Sequence, residues 1–267
     1  MVKVRVSPLP DWVPVGRFLG PRFTRDGAVA TADLTVSEAA DVAARLRGVG
    51  LGGRLLDVGF DPPLPRAAVR AARTEDARRR RDTTPGFTRP GVRLDEEGRF
   101  SLTPEALARA LAKPLAGRAV VDATCGAGGN TIGFARAGAR VTAIERDARR
   151  LADARANAAV YGVADRVRFL HGDARVLVPT LSADLLFVDP PWGVDWSRDR
   201  VGLADVPLLA ELLPLARGRY PAVWAKVPPA FDPADWPEAS VEAVFGAAAG
   251  DTARVKFLVL REGRLPE

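Results

Sequence analysis

The sequence predicts an α/β protein: a doubly wound, mostly parallel seven-stranded sheet with an antiparallel edge strand, plus a smaller, mainly helical N-terminal region. Two observations predict this fold. From about residue 101 onward, helical segments alternate with short apolar runs, which is typical of a parallel sheet flanked by helices. The last two apolar runs, 240–246 and 253–261, are joined by only a short loop, and strands joined without a crossover helix pair antiparallel.

The N-terminal region is predicted to hold two helices, at 34–50 and 64–82. The first carries an apolar stripe that stops at a glycine, and the second becomes fully charged at its end. The helix breakers Pro85, Gly86, Pro90 and Gly91 within 83–93 then indicate a linker or domain boundary. The sequence therefore predicts an accessory domain over residues 1–88, a candidate RNA-binding unit, and a second domain over residues 89–267.

The second domain is predicted to begin with a helix over 103–117, with Thr103 as its N-cap and Pro104 in its first turn. Strands and helices then alternate along the chain. The predicted strands are 119–125, 139–145, 166–173, 183–191, 220–227, 240–246 and 253–261. The predicted helices between them are 130–137, 149–161 and 203–216.

The composition restricts the chemistry. The chain is 47% hydrophobic and 27% charged, as in a globular protein, and its apolar runs are too short to cross a membrane. One cysteine, Cys125, and one histidine, His171, leave no disulfide and no Cys or His cluster for a metal, so we expect no metal site. The N-terminus lacks the apolar core of a secretory signal, which predicts a cytoplasmic protein. The net charge of +6 suits a polyanionic partner.

A glycine-rich loop, DATCGAGGNT, runs from Asp122 to Thr131 between a predicted strand and a predicted helix. Glycines let such a loop turn sharply and approach a ligand closely. The loop lacks the third glycine of the dinucleotide fingerprint and the lysine of a Walker loop, and Asp122 in front of it would repel a pyrophosphate. The pattern therefore favours a ligand with a cationic or amino group.

Two further acids follow the next two predicted strands. Glu145 lies about 20 residues after the glycine loop, where an acid accepts hydrogen bonds from ribose hydroxyls. Asp173 ends the third strand and can accept from an adenine amino group. Because the carboxyl ends of parallel strands meet at one edge, the three acids together fit S-adenosylmethionine, with its amino acid end near Asp122.

The segment Asp189-Pro190-Pro191-Trp192 follows the fourth predicted strand. An amine on an aromatic ring is a poor nucleophile because its lone pair is delocalised, so its methylation needs an acceptor for the N–H. Asp189 and the Pro190 carbonyl supply acceptors, and the two prolines stiffen the loop. Trp192 offers a face for stacking a base, with cation–π attraction if the base is charged; the alternative is a core tryptophan. The motif predicts methylation of an exocyclic amine of a nucleobase.

Three segments together resemble the RNA cap guanine-N2 methyltransferases, the trimethylguanosine synthases: VVDATCGAGGNTIGFA, ARANAAVYGVADRVRFLHGD and DLLFVDPPWG. The resemblance covers roughly residues 91–260. It implies the class I methyltransferase fold, S-adenosylmethionine as the cofactor, and methyl transfer to N2 of a 7-methylguanine cap. Vertebrate-type members have Ser where Asp189 stands, and Asp is the stronger acceptor.

The resemblance also implies roles for individual residues. Asp189, Pro190, Pro191 and Trp192 are assigned to catalysis, and Trp192 also stacks on the base. The other residues assigned to the substrate are Arg93, in the place of a phosphate-contacting Lys, and Phe100, Thr103 and Pro104. The residues assigned to the cofactor are Asp122, Thr124, Gly126, Gly128, Asn130, Thr131, Glu145, Arg146, Asp173, Ala174 and Asp189. For Asn130 and Thr131, simple helix capping is the alternative.

We therefore expect an S-adenosylmethionine-dependent RNA methyltransferase that modifies an exocyclic amine, with guanine N2 as the first choice and a role in RNA processing. The sequence leaves open an adenine-N6 or guanine-N2 methyltransferase of tRNA, rRNA or DNA, a small-molecule methyltransferase, and a non-catalytic module that binds the cofactor and nucleic acid. The basic run Arg78–Arg81 is a candidate contact for RNA phosphates, and a solvated helix face is its alternative.

Overall fold

The computed structural model describes residues 1–192 and 197–266, without the side chains of Glu97 and Phe100. The elements of its N-terminal part are β1 (Val2–Ser7), α1 (Val15–Phe18), β2 (Thr24–Asp26), β3 (Val29–Leu34), α2 (Val36–Leu46), β4 (Gly50–Leu51), β5 (Arg54–Leu55), β6 (Asp57–Asp61) and α3 (Arg66–Arg79). Four of the strands form an antiparallel sheet in the order β2-β3-β1-β6. Strands β4 and β5 form a separate hairpin.

This N-terminal part is a mixed α/β unit, so the prediction of a mainly helical region is wrong. Both predicted helices are present as α2 and α3, but the prediction leaves out the sheet. β1 reads VKVRVS, and its valines are buried while Lys3 and Arg5 are exposed. This two-residue period is typical of a strand with one face on a core. Helix α2 begins after Thr35, which forms a capping box with Glu38.

The second part carries the predicted alternation of helices and strands. Its elements are α4 (Glu96–Ser101), α5 (Glu105–Ala112), β7 (Ala119–Asp122), α6 (Gly129–Arg136), β8 (Arg140–Glu145), α7 (Ala148–Val160), β9 (Val167–His171), α8 (Ala174–Leu177), β10 (Leu185–Val188), α9 (Pro207–Ala216), β11 (Ala222–Val227), β12 (Ser240–Phe245) and β13 (Val255–Gly263). Helix α5 begins later than predicted, because Pro104 is its N-cap and Thr103 lies outside it.

The seven strands of this part form one sheet in the order β12-β13-β11-β10-β7-β8-β9. Strands β7 to β11 pair in parallel, whereas β13 runs antiparallel to both of its neighbours. The prediction of a mostly parallel seven-stranded sheet that ends in an antiparallel pair is confirmed. The reversed strand is the second from the edge, because β12 occupies the edge itself. No helix in the described part of the chain is both long and apolar enough to span a bilayer.

The two sheets share a hydrophobic core. One cluster of buried side chains includes Val4 and Val6 of the first sheet and Val223, Leu258 and Leu260 of the second. The rings of Phe18 and Phe245 meet edge to face, with their centroids 6.4 Å apart. The N-terminal unit therefore packs against the β11, β12 and β13 half of the larger sheet.

Backbone and side-chain contacts reinforce this packing. The Thr84 hydroxyl and N–H both donate to the Asp251 carboxylate, at 2.9 Å, so the predicted linker is anchored there. In the hairpin of β4 and β5, the Gly52 N–H donates to the Pro229 carbonyl at 3.0 Å. A Cβ on Gly53 would lie 2.6 Å from the side chain of Asp232. The hairpin is thus fitted closely against the segment that follows β11, while the domain boundary at residue 88 stays a prediction.

Candidate active site

The carboxyl ends of β7, β8, β9 and β10 form one edge of the larger sheet. Asp122 is the last residue of β7, Glu145 is the last residue of β8, and Asp173 follows β9. The parallel register pairs Asp122 with Ala143 and Glu145 with His171, so the acids belong to adjacent strands. The sequence prediction that these strand ends share one edge is correct.

The glycine loop between β7 and α6 is shaped by two glycines in the left-handed region. Gly126 has φ +52° and Gly128 has φ +95°, conformations that L side chains rarely adopt. The Gly126 N–H donates to the Glu145 carboxylate at 3.0 Å, which ties the loop to the next strand. A Cβ on Gly126 would meet no atom within 4 Å, so the loop borders open space there.

Asp122 is fully buried beneath this loop. Its carboxylate accepts from the Thr131 hydroxyl at 2.6 Å and from the Thr124 N–H at 3.3 Å. Burial raises the pKa of Asp122 to about 7, and the negative charges of Asp189 and Glu145 act in the same direction. Asp122 therefore holds the loop from inside, and its contact with a cofactor stays a prediction.

Asp189 directly follows β10 and is fixed by several partners. Its N–H donates to the Thr124 hydroxyl at 2.9 Å. Its Oδ2 atom accepts from Asn130 Nδ2 and from Lys226 Nζ, each at 2.8 Å, and lies 3.5 Å from the Thr103 hydroxyl. Bonds from three directions hold the carboxylate in one orientation at the sheet edge.

Helix capping does not explain Asn130 and Thr131. The N-cap of α6 is Gly128, and no side chain caps the helix. Asn130 instead bonds Asp189, and Thr131 bonds Asp122. The Oδ1 atom of Asn130 is buried and has no hydrogen-bond partner within residues 1–192 and 197–266. An acceptor in this state is suited to an N–H or O–H group of a ligand.

Trp192 is half-buried and packs against the core on the far side of the sheet from the N-terminal unit. Its indole N–H donates to the Lys226 carbonyl at 3.4 Å. The ammonium of Lys226 lies 5.3 Å from the centroid of the Trp192 ring and 5.2 Å from that of Phe257. The indole is thus held at the site by backbone and by a cation, and it is also partly a core residue.

Lys226 is a site residue that sequence reasoning missed. It is only 4% exposed, and it lies in β11, whose six residues are all buried. A buried ammonium requires a carboxylate or other strong acceptors, so a lysine inside the apolar run AVWAKV was a usable signal for a buried ion pair. Its partners are the Asp189 carboxylate and the Ser101 carbonyl, at 2.8 and 3.4 Å.

Asn157 is a second missed residue, and it links the predicted substrate and cofactor segments. Its Oδ1 atom accepts from the Arg93 N–H at 2.7 Å, and its Nδ2 donates to the carbonyls of Arg93 and Ala127 at 2.8 and 2.9 Å. An asparagine in the middle of an amphipathic helix was the available signal, because it is a poor helix former. Arg93 is thereby held at a fixed place relative to the glycine loop.

The Arg93 side chain is exposed and lines a groove of about 540 Å³ beside α7. The other arginines that line this groove, which we call the arginine groove, are Arg89, Arg99 and Arg149. Two acids, Asp95 and Asp153, also line it, and the Asp95 carboxylate bonds Arg150 at 2.8 Å. The arginine groove therefore presents an excess of positive charge.

Asp173 has a local structural role. It caps α8 through the Arg175 N–H and forms an ion pair of 2.6 Å with the Arg175 side chain, whose hydrogen bonds lower the pKa of Asp173. Ala174 behind it is buried. Arg146 is exposed, and its carbonyl contacts the His171 ring at 3.0 Å. The structure leaves the assignment of Asp173 to an adenine as a prediction.

The remaining predicted site residues lie at different places around Asp189. Pro190 is buried and Pro191 is exposed, and Pro104 caps α5 next to Thr103. The side chain of Phe100 lies outside the described part of the structure. In the described ranges, no three His, Cys, Asp or Glu side chains are grouped as metal ligands.

Part of the chain is similar to known RNA methyltransferases. Residues 117–201 match a family model described as RNA cap guanine-N2 methyltransferase. The trimethylguanosine synthase of Schizosaccharomyces pombe is 37% identical over 113 residues, which cover 39% of this chain and 47% of that protein. The ribosomal RNA small subunit methyltransferase J of Rhodopseudomonas palustris (strain TIE-1) is 45% identical over 82 residues, which cover 27% of this chain and 39% of that protein. The predicted family resemblance is confirmed.

A solved structure supports the fold. A proposed methyltransferase from Porphyromonas gingivalis W83 superposes with a TM-score of 0.51 and 20% identity, over 86% of this chain and 58% of that chain. The likeness supports the predicted doubly wound fold with its seven-stranded sheet. The chain spans less than half of the length of the two curated relatives above.

Proposed function

We propose that this chain is an S-adenosylmethionine-dependent RNA methyltransferase that acts on an exocyclic amino nitrogen of a nucleobase, with guanine N2 as the preferred position. The observation that carries the proposal is the Asp189 carboxylate at the end of β10, fixed by Lys226 and Asn130 in the same loop as Trp192. The family match implies S-adenosylmethionine as the cofactor, as the sequence predicted.

The residues at the sheet edge fit that cofactor. Open space lies beside Gly126, and the unsatisfied Oδ1 of Asn130 offers an acceptor for its amino group. Glu145 ends the strand where a ribose-binding acid is expected. When bound, S-adenosylmethionine would supply its sulfonium methyl group: as the N–CH3 bond forms, the S–CH3 bond would break, leaving S-adenosylhomocysteine, and the amine proton would be lost to water. The protein's part is to bind and orient the two reactants.

The role we propose for Asp189 is to accept a hydrogen bond from the reacting amine. The bonds from Lys226 and Asn130 fall on Oδ2, and no described residue bonds Oδ1. An N–H directed at Oδ1 draws the nitrogen lone pair out of conjugation with the ring, which makes the nitrogen a better nucleophile. Because the carboxylate is already oriented, it does not reorganise during the reaction. Trp192 stacks on the base and fixes its plane.

RNA is the proposed partner, and two basic surfaces support it. One is the arginine groove next to the site. The other is the exposed face of α3, where Arg70, Arg73, Arg78 and Arg81 line a second groove with only Thr74 and Ala77. Arg78, Arg79 and Arg80 of the predicted basic run pair with acids, whereas Arg70, Arg73 and Arg81 form no ion pair with a described residue. Steps of three and four residues along positions 70, 73, 77 and 81 place Arg70 and Arg73 on one face of α3, and the same line continues to Arg81, two residues past the end of the helix.

Replacing Arg73 and Arg81 together with Gln should reduce the salt dependence of RNA binding. Each phosphate contact contributes a slope of about 0.7 in log K against log salt for single strands, so two contacts account for about 1.4. Binding of total RNA fragments at several salt concentrations measures the slope. The matched control is the double replacement of Arg166 and Arg168, exposed arginines at the opposite edge of the sheet. An unchanged slope in the first variant would remove α3 from the RNA-binding surface.

Two measurements test the proposed function. Calorimetric titration with S-adenosylmethionine should show binding to one site per chain. Incubation with labelled cofactor and total RNA, followed by nucleoside mass spectrometry, should then identify a methylated exocyclic amine, in guanosine first. Failure to bind the cofactor would refute the proposal. Binding with no transfer to RNA or DNA would favour the non-catalytic module.

A further inference from the structure

The chain that follows the loop of Asp189 and Trp192, which we call the Trp192 loop, is bonded to the segment beyond β11. Residues 197–206 make up this chain, which we call the exit segment. Val201 in it is buried and forms a parallel bridge with Phe231. The Val201 N–H and carbonyl both bond backbone groups beyond β11, at 2.9 and 2.8 Å. The exit segment is therefore paired as a short strand is.

Side chains beyond β11 bond the exit segment as well. The Arg200 guanidinium donates to the carboxylates of Asp232 and Asp235, at 3.0 and 3.2 Å. The Leu203 N–H donates to the Asp235 carboxylate at 3.0 Å. The Trp192 loop is thus fixed after its tryptophan by these bonds, and before it by the bonds to the Asp189 carboxylate.

The hairpin of β4 and β5 in the N-terminal unit touches the exit segment at Gly50. A Cβ on Gly50 would lie 1.9 Å from the carbonyl oxygen of Arg198, closer than a real Cβ approaches another atom. Gly50 is buried, and its φ is not positive, so space and not backbone conformation requires a glycine here. Gly53 of the same hairpin approaches Asp232, which holds the exit segment from the other side. The hairpin therefore contacts both the exit segment and its support.

We infer that the N-terminal unit positions the Trp192 loop for methyl transfer, and that Gly50 is the positioning residue through which it acts. This inference rests on the proposed function and gives the first unit a role in the reaction itself. Fixing both ends of a loop reduces the number of conformations open to the residues between them. Because a misplacement of about 1 Å can slow a reaction about 10²-fold, small shifts of the exit segment are sufficient to affect transfer.

Gly50→Ala tests the inference, with Gly59→Ala as the matched control. The new Cβ at position 50 must push the Arg198 carbonyl away by about 1 Å, whereas a Cβ on Gly59 would meet no described atom within 4 Å. We expect the maximal rate of transfer from labelled cofactor to total RNA to fall about 10–10²-fold in Gly50→Ala. The Kd for S-adenosylmethionine should match that of the control, because the residues assigned to the cofactor's methionine and ribose lie at the ends of β7 and β8.

Two outcomes of that comparison would overturn the inference. One is a rate equal to that of Gly59→Ala. The other is a parallel loss of cofactor binding, which would mean that the alanine disturbs the fold as a whole and not the position of the loop.

Amide hydrogen exchange tests the same contact without methyl transfer, so its result is separate from the test of the proposed function. Peptides that contain Val201 and Leu203 should exchange about tenfold faster in Gly50→Ala than in Gly59→Ala, because a displaced exit segment opens more often. Peptides of β7 and β8 should exchange equally in the two proteins. Equal exchange of the exit segment would refute the positioning role of Gly50.

A second variant of the hairpin serves if Gly50→Ala does not fold. Gly53 is only partly buried, and a Cβ there would lie 2.6 Å from the side chain of Asp232. Its control is Gly48→Ala, because Gly48 also has a positive φ but open space around it. We expect transfer to be about fivefold slower in Gly53→Ala than in Gly48→Ala, with the same Kd for S-adenosylmethionine. Equal rates in these two variants would overturn the inference by themselves.

Discussion

Replacing Asp189 with Asn should lower the turnover number for methyl transfer by a factor of about 10²–10³, the usual effect of removing one preorganised electrostatic group. The amide keeps the shape of the carboxylate and can still accept from Asn130 and Lys226. The amide lacks the negative charge of the carboxylate. That charge stabilises the amine nitrogen as it becomes pyramidal and gains positive charge during the attack. Single-turnover kinetics at saturating cofactor and RNA measure the change.

A second variant separates this effect from stability. Asp189→Asn leaves the buried Lys226 ammonium without its counter-ion, which should lower the free energy of unfolding by up to about 3 kcal/mol. Combining it with Lys226→Met removes both charges and should restore much of that stability while transfer stays slow. Asp165→Asn replaces an exposed acid away from the site, so its turnover number and its free energy of unfolding should match those of the wild type. Full activity in the Asp189→Asn protein would rule out the proposed role of this carboxylate.

Replacing Asp122 with Asn should remove a pH dependence from the stability of the fold. Burial raises the pKa of Asp122 to about 7, whereas an Asp in an unfolded chain has a pKa of about 3.9. Between these values the folded protein binds a proton that the unfolded chain releases, so this residue makes stability fall as pH rises from about 4 to 7. The free energy of unfolding of Asp122→Asn, relative to the wild type, should therefore increase by about 2–4 kcal/mol from pH 4 to pH 8.

Urea unfolding of both proteins at pH 4, 6 and 8 measures this difference. The asparagine can still accept from Thr131, so the variant is expected to fold. Asp165→Asn again serves as the control, since its carboxylate is exposed and lies away from the buried acid. A pH-independent difference for Asp122→Asn would mean that Asp122 stays ionised in the folded protein.

The succession of helices and strands along the chain, and the acids at the strand ends, could be predicted from the sequence because both depend on local pattern. Apolar runs, glycines and strand-end acids occur at the intervals expected of a doubly wound sheet. Strands β7 to β13 match these intervals. The N-terminal sheet was not predicted, although β1 carries a two-residue period. The strands of this sheet are short and pair over long sequence distances, which a local pattern does not reveal. The helical patterns of α2 and α3 are stronger, so they lead to the prediction of a mainly helical region.

The partners of the site residues could not be predicted in the same way. Lys226 reaches Asp189 across 37 positions, and Asn157 reaches Arg93 across 64. Such pairs depend on which strands become neighbours and on how deeply each side chain is buried. Asn130 and Thr131 illustrate the limit, because a helix N-terminus suggested capping while their actual bonds run to the acids at the ends of β10 and β7.

Val4 and Val6 share a core with Leu258 and Leu260, so the two sheets of this protein depend on each other for burial of their apolar faces. Without the N-terminal unit, an apolar face of the larger sheet would be in contact with water, and the Pro229 carbonyl would lose its bond from Gly52. Pro229 lies three residues beyond Lys226, so the first unit buttresses the strand end that carries the ammonium. Exchanging this unit between relatives would therefore disturb the packing of the larger sheet and the support of the strand end that carries Lys226.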